Sequence, residues 1–239
     1  MSWNTSYNPS MTYIDIQQHH KPNHKHPFKN LLFTWFNEVY SRELTAKEYY
    51  LQIPGMSGKK YRYLMNKISS SLEEARYLEI GSWKGSTLCS VLSNNRVQAT
   101  AIDNWSQFDG PRDEFFANVD KTIQLGTQLT VLEKDFRSID YSTLGKFNMY
   151  LFDGPHTAQD QYDGLMMAQP ALDPDYLLVV DDWNWPPARE GTHRALRELG
   201  AEVSYITIMT TPDGSHPNNH SENSDWHNGY FLAAVSKKA

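Results

Sequence analysis

From residue 75 onward, short apolar runs alternate with stretches long enough for a helix, and this alternation limits the folds open to the chain most strongly. Runs that are apolar along their whole length are typical of strands covered on both faces, as in a parallel sheet flanked by helices. The pattern therefore predicts a doubly wound α/β fold with a mainly parallel, seven-stranded sheet. The predicted strands are ARYLEIG (75–81), VQATAID (97–103), LTVLEKD (129–135), FNMYLFD (147–153), YLLVVDD (176–182), EVSYITIM (202–209) and GYFLAAVS (229–236).

The last two predicted strands are joined by a non-helical loop, so we expect an antiparallel hairpin at one end of the sheet. Before the sheet, FKNLLFTWFNEVYSREL (28–44) has the apolar spacing of an amphipathic helix, and a second helix is expected after Ser57, its predicted cap. A further helix is expected at 188–196, interrupted by Gly191. The other helices expected between the strands are STLCSVLSN, RDEFFANVDKTIQL and AQDQYDGLMMAQPAL. The predicted organisation is a flexible polar tail (1–27), a helical extension or lid (28–56) and an α/β domain (57–239).

Charge and composition narrow the function classes. The chain has 22 Lys and Arg against 28 Asp and Glu, a net charge of −6, which argues against a nucleic-acid partner. A single cysteine, Cys89, and an N-terminus without an apolar signal core predict a cytoplasmic protein. No apolar run reaches transmembrane length, so no membrane partner is expected. Cys89 is expected to be a small apolar filler in a buried helix, and a homo-oligomer is left open.

The ends of the first three predicted strands carry groups that suit a nucleoside. Glu79, Gly81 and Gly85 form E-x-G-x-x-x-G across a strand-to-helix turn, where the glycines permit a tight turn and a close backbone approach. Asp103 ends the second strand and can accept both hydroxyls of a ribose. At the third strand end, Asp135 could accept from an adenine amino group while Phe136 packs on the ring. The alternative is a plain glycine turn followed by two helix-capping aspartates.

A second group of polar residues follows the fourth and fifth predicted strands. Asp153, Asp181 and Asp182 form an all-oxygen set that suits a hard cation such as Mg²⁺, although each could instead cap a following helix. His156 lies three residues after Asp153, in D-G-x-H, where a neutral imidazole could take a proton from a hydroxyl. The alternative for His156 is to order the loop or to bind metal.

Histidines and tryptophans elsewhere have weaker signals. The histidines of the polar tail are expected to be solvated, and those near the C-terminus are expected in a variable loop over the acceptor site rather than in a zinc site. Tryptophans in strand-end loops could stack on a sugar or ring, with core packing as the equal alternative. The residues concerned are His19, His20, His24, His26, His216, His220, His227, Trp105, Trp183, Trp185 and Trp226.

The stretches YLEIGSWKGST, ATAIDNW, EKDF, LFDGPHT and LVVDDWN resemble the class I S-adenosylmethionine-dependent methyltransferases, in particular the metal-dependent O-methyltransferases of macrolide and aminocoumarin sugars. The resemblance covers roughly residues 57–236 and implies a Rossmann-like methyltransferase fold with S-adenosylmethionine as cofactor. It implies Glu79 and Gly81 near the methionine moiety, Asp103 at the ribose and Asp135 at the adenine. It also implies Mg²⁺ at the three aspartates.

The resemblance has one departure. Some relatives have D-G-D where this chain has Asp153, Gly154 and Pro155, so a carboxylate base is unavailable at residue 155; relatives with D-G-x-H use the histidine, which corresponds to His156. The implied activity is methyl transfer to a hydroxyl of a sugar or glycosylated small molecule. Two rivals remain: a metal-independent methyltransferase and a non-catalytic cofactor-binding module.

Overall fold

The computed structural model describes residues 13–44, 47–217 and 225–238. Their strands join in one eight-stranded sheet of order β1-β7-β8-β6-β5-β2-β3-β4. All seven predicted strands are present, with an eighth before them. The strands are β1 (Asp15–His19), β2 (Ala75–Ile80), β3 (Val97–Ile102), β4 (Gln128–Leu132), β5 (Phe147–Phe152), β6 (Leu172–Val180), β7 (Glu202–Met209) and β8 (Tyr230–Ser236).

Five neighbouring strands, β6-β5-β2-β3-β4, run parallel, and β8 lies antiparallel between β6 and β7. Strands β2 and β5 are buried almost throughout, as expected for strands covered on both faces. The predicted doubly wound, mainly parallel sheet with an antiparallel last strand is therefore confirmed, although it has eight strands and not seven.

The prediction of a polar tail over 1–27 is wrong for β1. This strand pairs with β7 from Asp15 opposite Met209 to His19 opposite Tyr205. His24, expected to be solvated, is buried and hydrogen-bonds through Nδ1 to Ser204 Oγ at 2.9 Å. An edge strand needs little apolar surface, so its sequence lacks the signal of a central strand. Residues 1–12 lie outside the described part of the chain.

The helices of the described residues form two layers around the sheet. Helices α1 to α4 pack on one face, and α5 and α6 pack on the other. Their bounds are α1 (Lys29–Ser41), α2 (Lys59–Ser71), α3 (Ser86–Leu92), α4 (Arg112–Asp120), α5 (Ala158–Ala168) and α6 (Pro186–Glu198). None of these helices combines the length and apolarity that a bilayer crossing needs.

Two helix details differ from the sequence expectation. Gly58, not Ser57, is the N-cap of α2; the Ser57 hydroxyl instead accepts from buried Arg62 and contacts Ser86 Oγ. Gly191 does not interrupt α6, which is continuous from Pro186 to Glu198. Glycine occupies this position because α6 passes close to α5 here, and a Cβ would lie 2.2 Å from the carbonyl oxygen of Ala158.

The two helix layers enclose two apolar clusters, one on each face of the sheet. Cys89 is fully buried in the α1–α4 layer, which confirms its prediction as an apolar filler. Trp183 and Trp226 are also core residues, exposed by only 2% and 4%, so the stacking alternative is wrong for both.

Candidate active site

The candidate site lies at the carboxyl ends of the parallel strands. There, the backbone hydrogen bonds between neighbouring strands continue for one residue beyond each strand. Gly81 N donates to Ile102 O, Asp103 N to Leu132 O, Asp153 N to Ile80 O and Asp181 N to Phe152 O, over 2.9–3.3 Å. These bonds fix four predicted site residues side by side along one edge of the sheet. A crevice at this edge is the usual ligand site of an open α/β sheet.

The turn after β2 needs its glycines. Gly81 has φ +83°, and a Cβ there would lie 1.9 Å from the carbonyl oxygen of Asp153. Gly85 has φ +78° and is the N-cap of α3, where a Cβ would meet the ring of Phe115 at 3.0 Å. Positive φ and close approach together explain why glycine occupies both positions.

Asp103 clamps this turn to the loop that follows β3. Its Oδ2 accepts from the backbone N–H groups of Ser82 and Trp83, each at 2.8 Å, and its Oδ1 accepts from Trp105 N at 2.7 Å. An ionised carboxylate has about four acceptor positions, so one remains for an external donor such as a ribose hydroxyl. Asp103 also lines the cavity described below.

Two indole groups strengthen the connection between the turn and the loop. Trp105 Nε1 donates to Trp83 O at 2.9 Å, and Trp83 Nε1 donates to Phe108 O at 3.1 Å. All three residues have positive φ, between +46° and +52°. Such conformations cost about 1–3 kcal/mol each and persist where surrounding bonds fix them, often at ligand sites. The turn and the loop are thus held as one unit.

Asp135 and Phe136 follow β4 at the same edge, and both line the cavity. Asp135 is the N-cap of a short 3-10 helix, and its Oδ1 accepts from Arg137 N at 2.8 Å. The capping alternative therefore describes part of its role, while the second carboxylate oxygen accepts no hydrogen bond from the described residues. Phe136 is buried and packs edge-to-face on Phe152 at 5.5 Å.

Glu79 has no exposed surface and lines a small second cavity together with Gly81 and Asp153. Tyr77 OH and Ser82 Oγ each donate to its carboxylate at 2.6 Å. Burial raises its pKa to about 7 despite these two donors, and the negative charge of Asp103 adds to the rise. The carboxylate would gain from a positive charge nearby.

The predicted metal-binding aspartates lie close together at the ends of β5 and β6. Burial raises the pKa of Asp153 well above its ordinary value, and the negative charges of Asp181 and Asp182 raise it further. Burial and Asp182 likewise raise the pKa of Asp181, whose Oδ1 accepts from Asp182 N at 2.7 Å. Three neighbouring carboxylates repel one another when all are ionised, and a cation between them would offset that repulsion.

His156 is paired with Asp182. Its Nε2 lies 2.9 Å from Asp182 Oδ2, and Asn228 Nδ2 donates to the other carboxylate oxygen at 2.6 Å. Burial opposes the charge on Asp182, but the bonds from His156 and Asn228 prevail and lower its pKa. The imidazole is thus held by one nitrogen, and the other, Nδ1, is buried without a hydrogen-bond partner among the described residues.

These residues share one cavity of about 350 Å³. Gly81, Asp103, Asp135 and Phe136 line it beside β2, β3 and β4, and Asp153, His156, Asp181 and Asp182 line it beside the neighbouring strands β5 and β6. Trp105 and Trp185 also line it, as do His216 and His227 of the predicted acceptor loop. His220 lies outside the described residues.

Ligand atoms of Asp153, His156 and Asp182 lie within 4.8 Å of one another and could hold a metal ion. The predicted set differs, since it had Asp181 in place of His156. The repulsion among the three aspartates fits a cation at this position. The residues present therefore fit a divalent ion.

Some contributors to the site were missed by sequence reasoning. Met56 and Phe108 line the cavity, although their side chains are 42% and 58% exposed. Asn228 is fully buried and donates a hydrogen bond to Asp182. The unusual density of asparagine, glycine and histidine around WHNGY could have drawn attention to Asn228. Met56 and Phe108 carry no sequence pattern that distinguishes them from other loop residues.

Comparisons with known proteins are consistent with this geometry. Residues 78–183 match a family described as "Methyltransferase domain". The O-methyltransferase TomG from Streptomyces achromogenes, solved in complex with SAM, is similar with a TM-score of 0.57 and 13% identity, over 86% of this chain and 98% of TomG. An O-methyltransferase from Bacillus cereus, solved in complex with SAH, has a TM-score of 0.52 and 13% identity, over 88% and 92% of the two chains. No curated protein gave a match.

The two solved structures share the fold of this chain, and the family match covers the strands and turns that build the cavity. This chain is an enzyme of the methyltransferase class.

Proposed function

We propose that the protein is an S-adenosylmethionine-dependent O-methyltransferase that acts on a hydroxyl of a sugar or glycosylated small molecule with the help of Mg²⁺. One observation carries the proposal. A single cavity is lined both by the glycine turn and strand-end acids of β2, β3 and β4 and by the His156–Asp182 pair beside β5 and β6. A methyl donor and a proton acceptor could therefore meet inside it.

The cofactor would occupy the end of the cavity that contains Gly81. Its ribose would use the remaining acceptor position of Asp103, and its adenine would lie against Phe136 with its amino group near Asp135. The positively charged sulfonium and amino groups suit the carboxylate of Glu79, whose pKa burial raises to about 7, because a nearby positive charge favours the ionised form. The two similar structures were solved in complex with SAM and SAH, which supports this choice of cofactor.

His156 would act as the general base. Asp182 holds Nε2, which leaves Nδ1 to accept the proton of the acceptor hydroxyl. A positioned base of this kind contributes about 10²- to 10⁴-fold to a reaction rate. Asp182 would also stabilise the imidazolium that forms when the proton arrives.

A divalent ion would be held by carboxylates of Asp153, Asp181 and Asp182. When bound, such an ion supplies charge that lowers the pKa of a hydroxyl and orients its oxygen. The mutual repulsion of these carboxylates supports the ion, and Mg²⁺ suits an all-oxygen set. The proximity of His156 to Asp153 and Asp182 offers a mixed set as the alternative.

The volume of the cavity bears on the acceptor. At about 350 Å³ it is near the small end of ligand pockets, which span about 300–1,000 Å³. It suits the cofactor and a reacting hydroxyl better than a whole glycoside. The body of the acceptor would then contact the rim, where Met56, Phe108 and Trp185 offer apolar and aromatic surface.

We further propose a cytoplasmic location without a nucleic-acid partner, supported by the net charge of −6 and the buried single cysteine.

The test is His156→Ala, measured with a hydroxyl acceptor selected from a sugar library on the wild type. Turnover should fall on the order of 10²- to 10⁴-fold while SAH affinity is unchanged. His20→Ala serves as the matched control, because His20 is exposed and packs on Phe33 in the N-terminal segment. Turnover of the His156 variant within a few-fold of wild type would remove its role as base. Absence of SAH binding by the wild type would remove the methyltransferase proposal itself.

A further inference from the structure

The hydrogen bonds around Asp182 extend beyond His156 into a buried polar network. Asp182 has φ +56°, and both of its carboxylate oxygens are bound, Oδ1 by Asn228 and Oδ2 by His156. A left-handed conformation is uncommon for a residue other than glycine and persists where surrounding contacts fix it. The plane of this carboxylate, and with it the direction of the imidazole, therefore depends on Asn228.

Asn228 is fixed in turn by Asn184. Asn184 N donates to Asn228 O at 3.0 Å, and Asn184 Nδ2 donates to Asn228 Oδ1 at 2.9 Å. Both side chains are fully buried. With its oxygen facing Asn184 Nδ2, the amide of Asn228 can only present Nδ2 to the carboxylate of Asp182, which is the orientation a carboxylate needs. The position of Gly229 permits this approach, since a Cβ there would lie 2.9 Å from Asn184 Oδ1.

The network then reaches both ends of the loop that connects β7 to β8. Thr210 N donates to Asn184 Oδ1 at 2.8 Å, and Asn184 Nδ2 donates to Thr210 Oγ1 at 2.9 Å. Thr210 Oγ1 donates to His227 O at 2.7 Å, so the hydroxyl joins the two ends of the loop. His227 lines the cavity beside Asp182.

We infer that Asn228 and Asn184 are positioning residues that hold the Asp182–His156 pair in its productive geometry and couple that geometry to Thr210, which follows β7, and to His227, which precedes β8. The inference rests on the proposed role of His156. Asn228 fixes Asp182, Asp182 fixes the imidazole, and Asn184 ties Asn228 to the loop ends. Partners of this kind typically contribute about 10- to 100-fold in activity or affinity through the groups they orient.

The first test replaces the donor of Asn228 without changing its shape, as Asn228→Asp. Asn148→Asp is the matched control, because Asn148 is also a buried asparagine, 4% exposed, that binds backbone groups of Glu74 and Arg76 at the opposite end of the sheet. We expect kcat to fall on the order of 10- to 100-fold for Asn228→Asp with SAH affinity within about two-fold of wild type. The control should lose stability but keep its kcat. Equal kcat for the two variants would overturn the inference.

A spectroscopic readout separates this inference from the proposed function, because it needs no acceptor. The ¹⁵N signals of the neutral His156 imidazole should show a single tautomer with the proton on Nε2 in the wild type, since Nε2 faces Asp182. Asn228→Asp should give a mixture of tautomers, and Asn148→Asp should not. An unchanged tautomer in Asn228→Asp would overturn the positioning role even if methyl transfer is never observed.

Thr210 offers a variant that acts from a distance and leaves both asparagines in place. Thr210→Val removes the hydroxyl that joins Asn184 to His227 O, and Thr210→Ser keeps it. We expect kcat to drop several-fold in Thr210→Val and to recover in Thr210→Ser. Wild-type turnover in Thr210→Val would contradict the coupling to the loop.

Discussion

Removal of the Asp103 carboxylate should affect stability and cofactor affinity together. In the structure it accepts three backbone N–H groups at 2.7–2.8 Å, from Ser82, Trp83 and Trp105. A hydrogen bond to a charged group contributes about 1.5–3 kcal/mol. Asp103 is partly exposed, so water can replace some of these bonds, and we expect Asp103→Ala to lower the free energy of unfolding by about 3–5 kcal/mol.

A loss of this size should lower Tm on the order of 10 °C in a chain of this length, since each kcal/mol is equivalent to about 2–4 °C. Affinity for SAH should fall at least about 10-fold, because the ribose loses an acceptor and the turn loses its clamp. Urea unfolding and titration calorimetry measure the two effects. Asp113→Ala is the control, because that side chain on α4 is 99% exposed. A stability loss below about 0.5 kcal/mol, the size of an ordinary surface substitution, would refute the clamp.

Three further outcomes are expected. Gly81→Ala should abolish SAH binding and lower Tm in a thermal scan, because the added Cβ meets Asp153 O; a variant that binds SAH normally would contradict the turn geometry. Asp153→Asn should bind Mg²⁺ or Mn²⁺ at least about 10-fold more weakly in calorimetry, and equal affinity would leave only the capping interpretation. Burial lowers the pKa of His26 to about 4, so the folded state disfavours its protonation, and its contribution to stability is present above pH 6.5 and lost toward pH 4. The stability difference between wild type and His26→Gln should shrink by up to about 3 kcal/mol over that range in urea unfolding, whereas a constant difference would contradict the burial effect.

Central strands could be predicted from the sequence because burial on both faces leaves a continuous apolar run. β5 and β8 have the clearest signals of this kind, since both are buried along almost their whole length. β7 alternates between buried and partly exposed residues, and its observed bounds (202–209) were nevertheless predicted. β1 could not be found in this way, because DIQQH is held in the sheet by main-chain hydrogen bonds to β7. The buried His24, which follows the strand, adds a hydrogen bond to Ser204 of β7. Main-chain pairing leaves no side-chain pattern in a short edge strand.

The predicted site residues follow from strand order alone, since the carboxyl ends of parallel strands meet at one edge. What could not be predicted is how they bind each other. Asp103 accepts from the backbone N–H groups of Trp83 and Trp105, and Asp182 accepts from the side chain of Asn228. These hydrogen bonds depend on loops that approach one another only in the folded chain. Loop hydrogen bonds have no period that a sequence displays.

Titration of the wild-type protein with SAH in a calorimeter tests the central claim most directly. The claim requires a cofactor site built on Gly81, Asp103 and Asp135, and it does not require the acceptor to be known. The account predicts saturable binding of one SAH per chain, weakened at least about 10-fold by Asp103→Ala. If the folded wild-type protein does not bind SAH at millimolar concentration, the proposal that this cavity holds the methyl donor is contradicted.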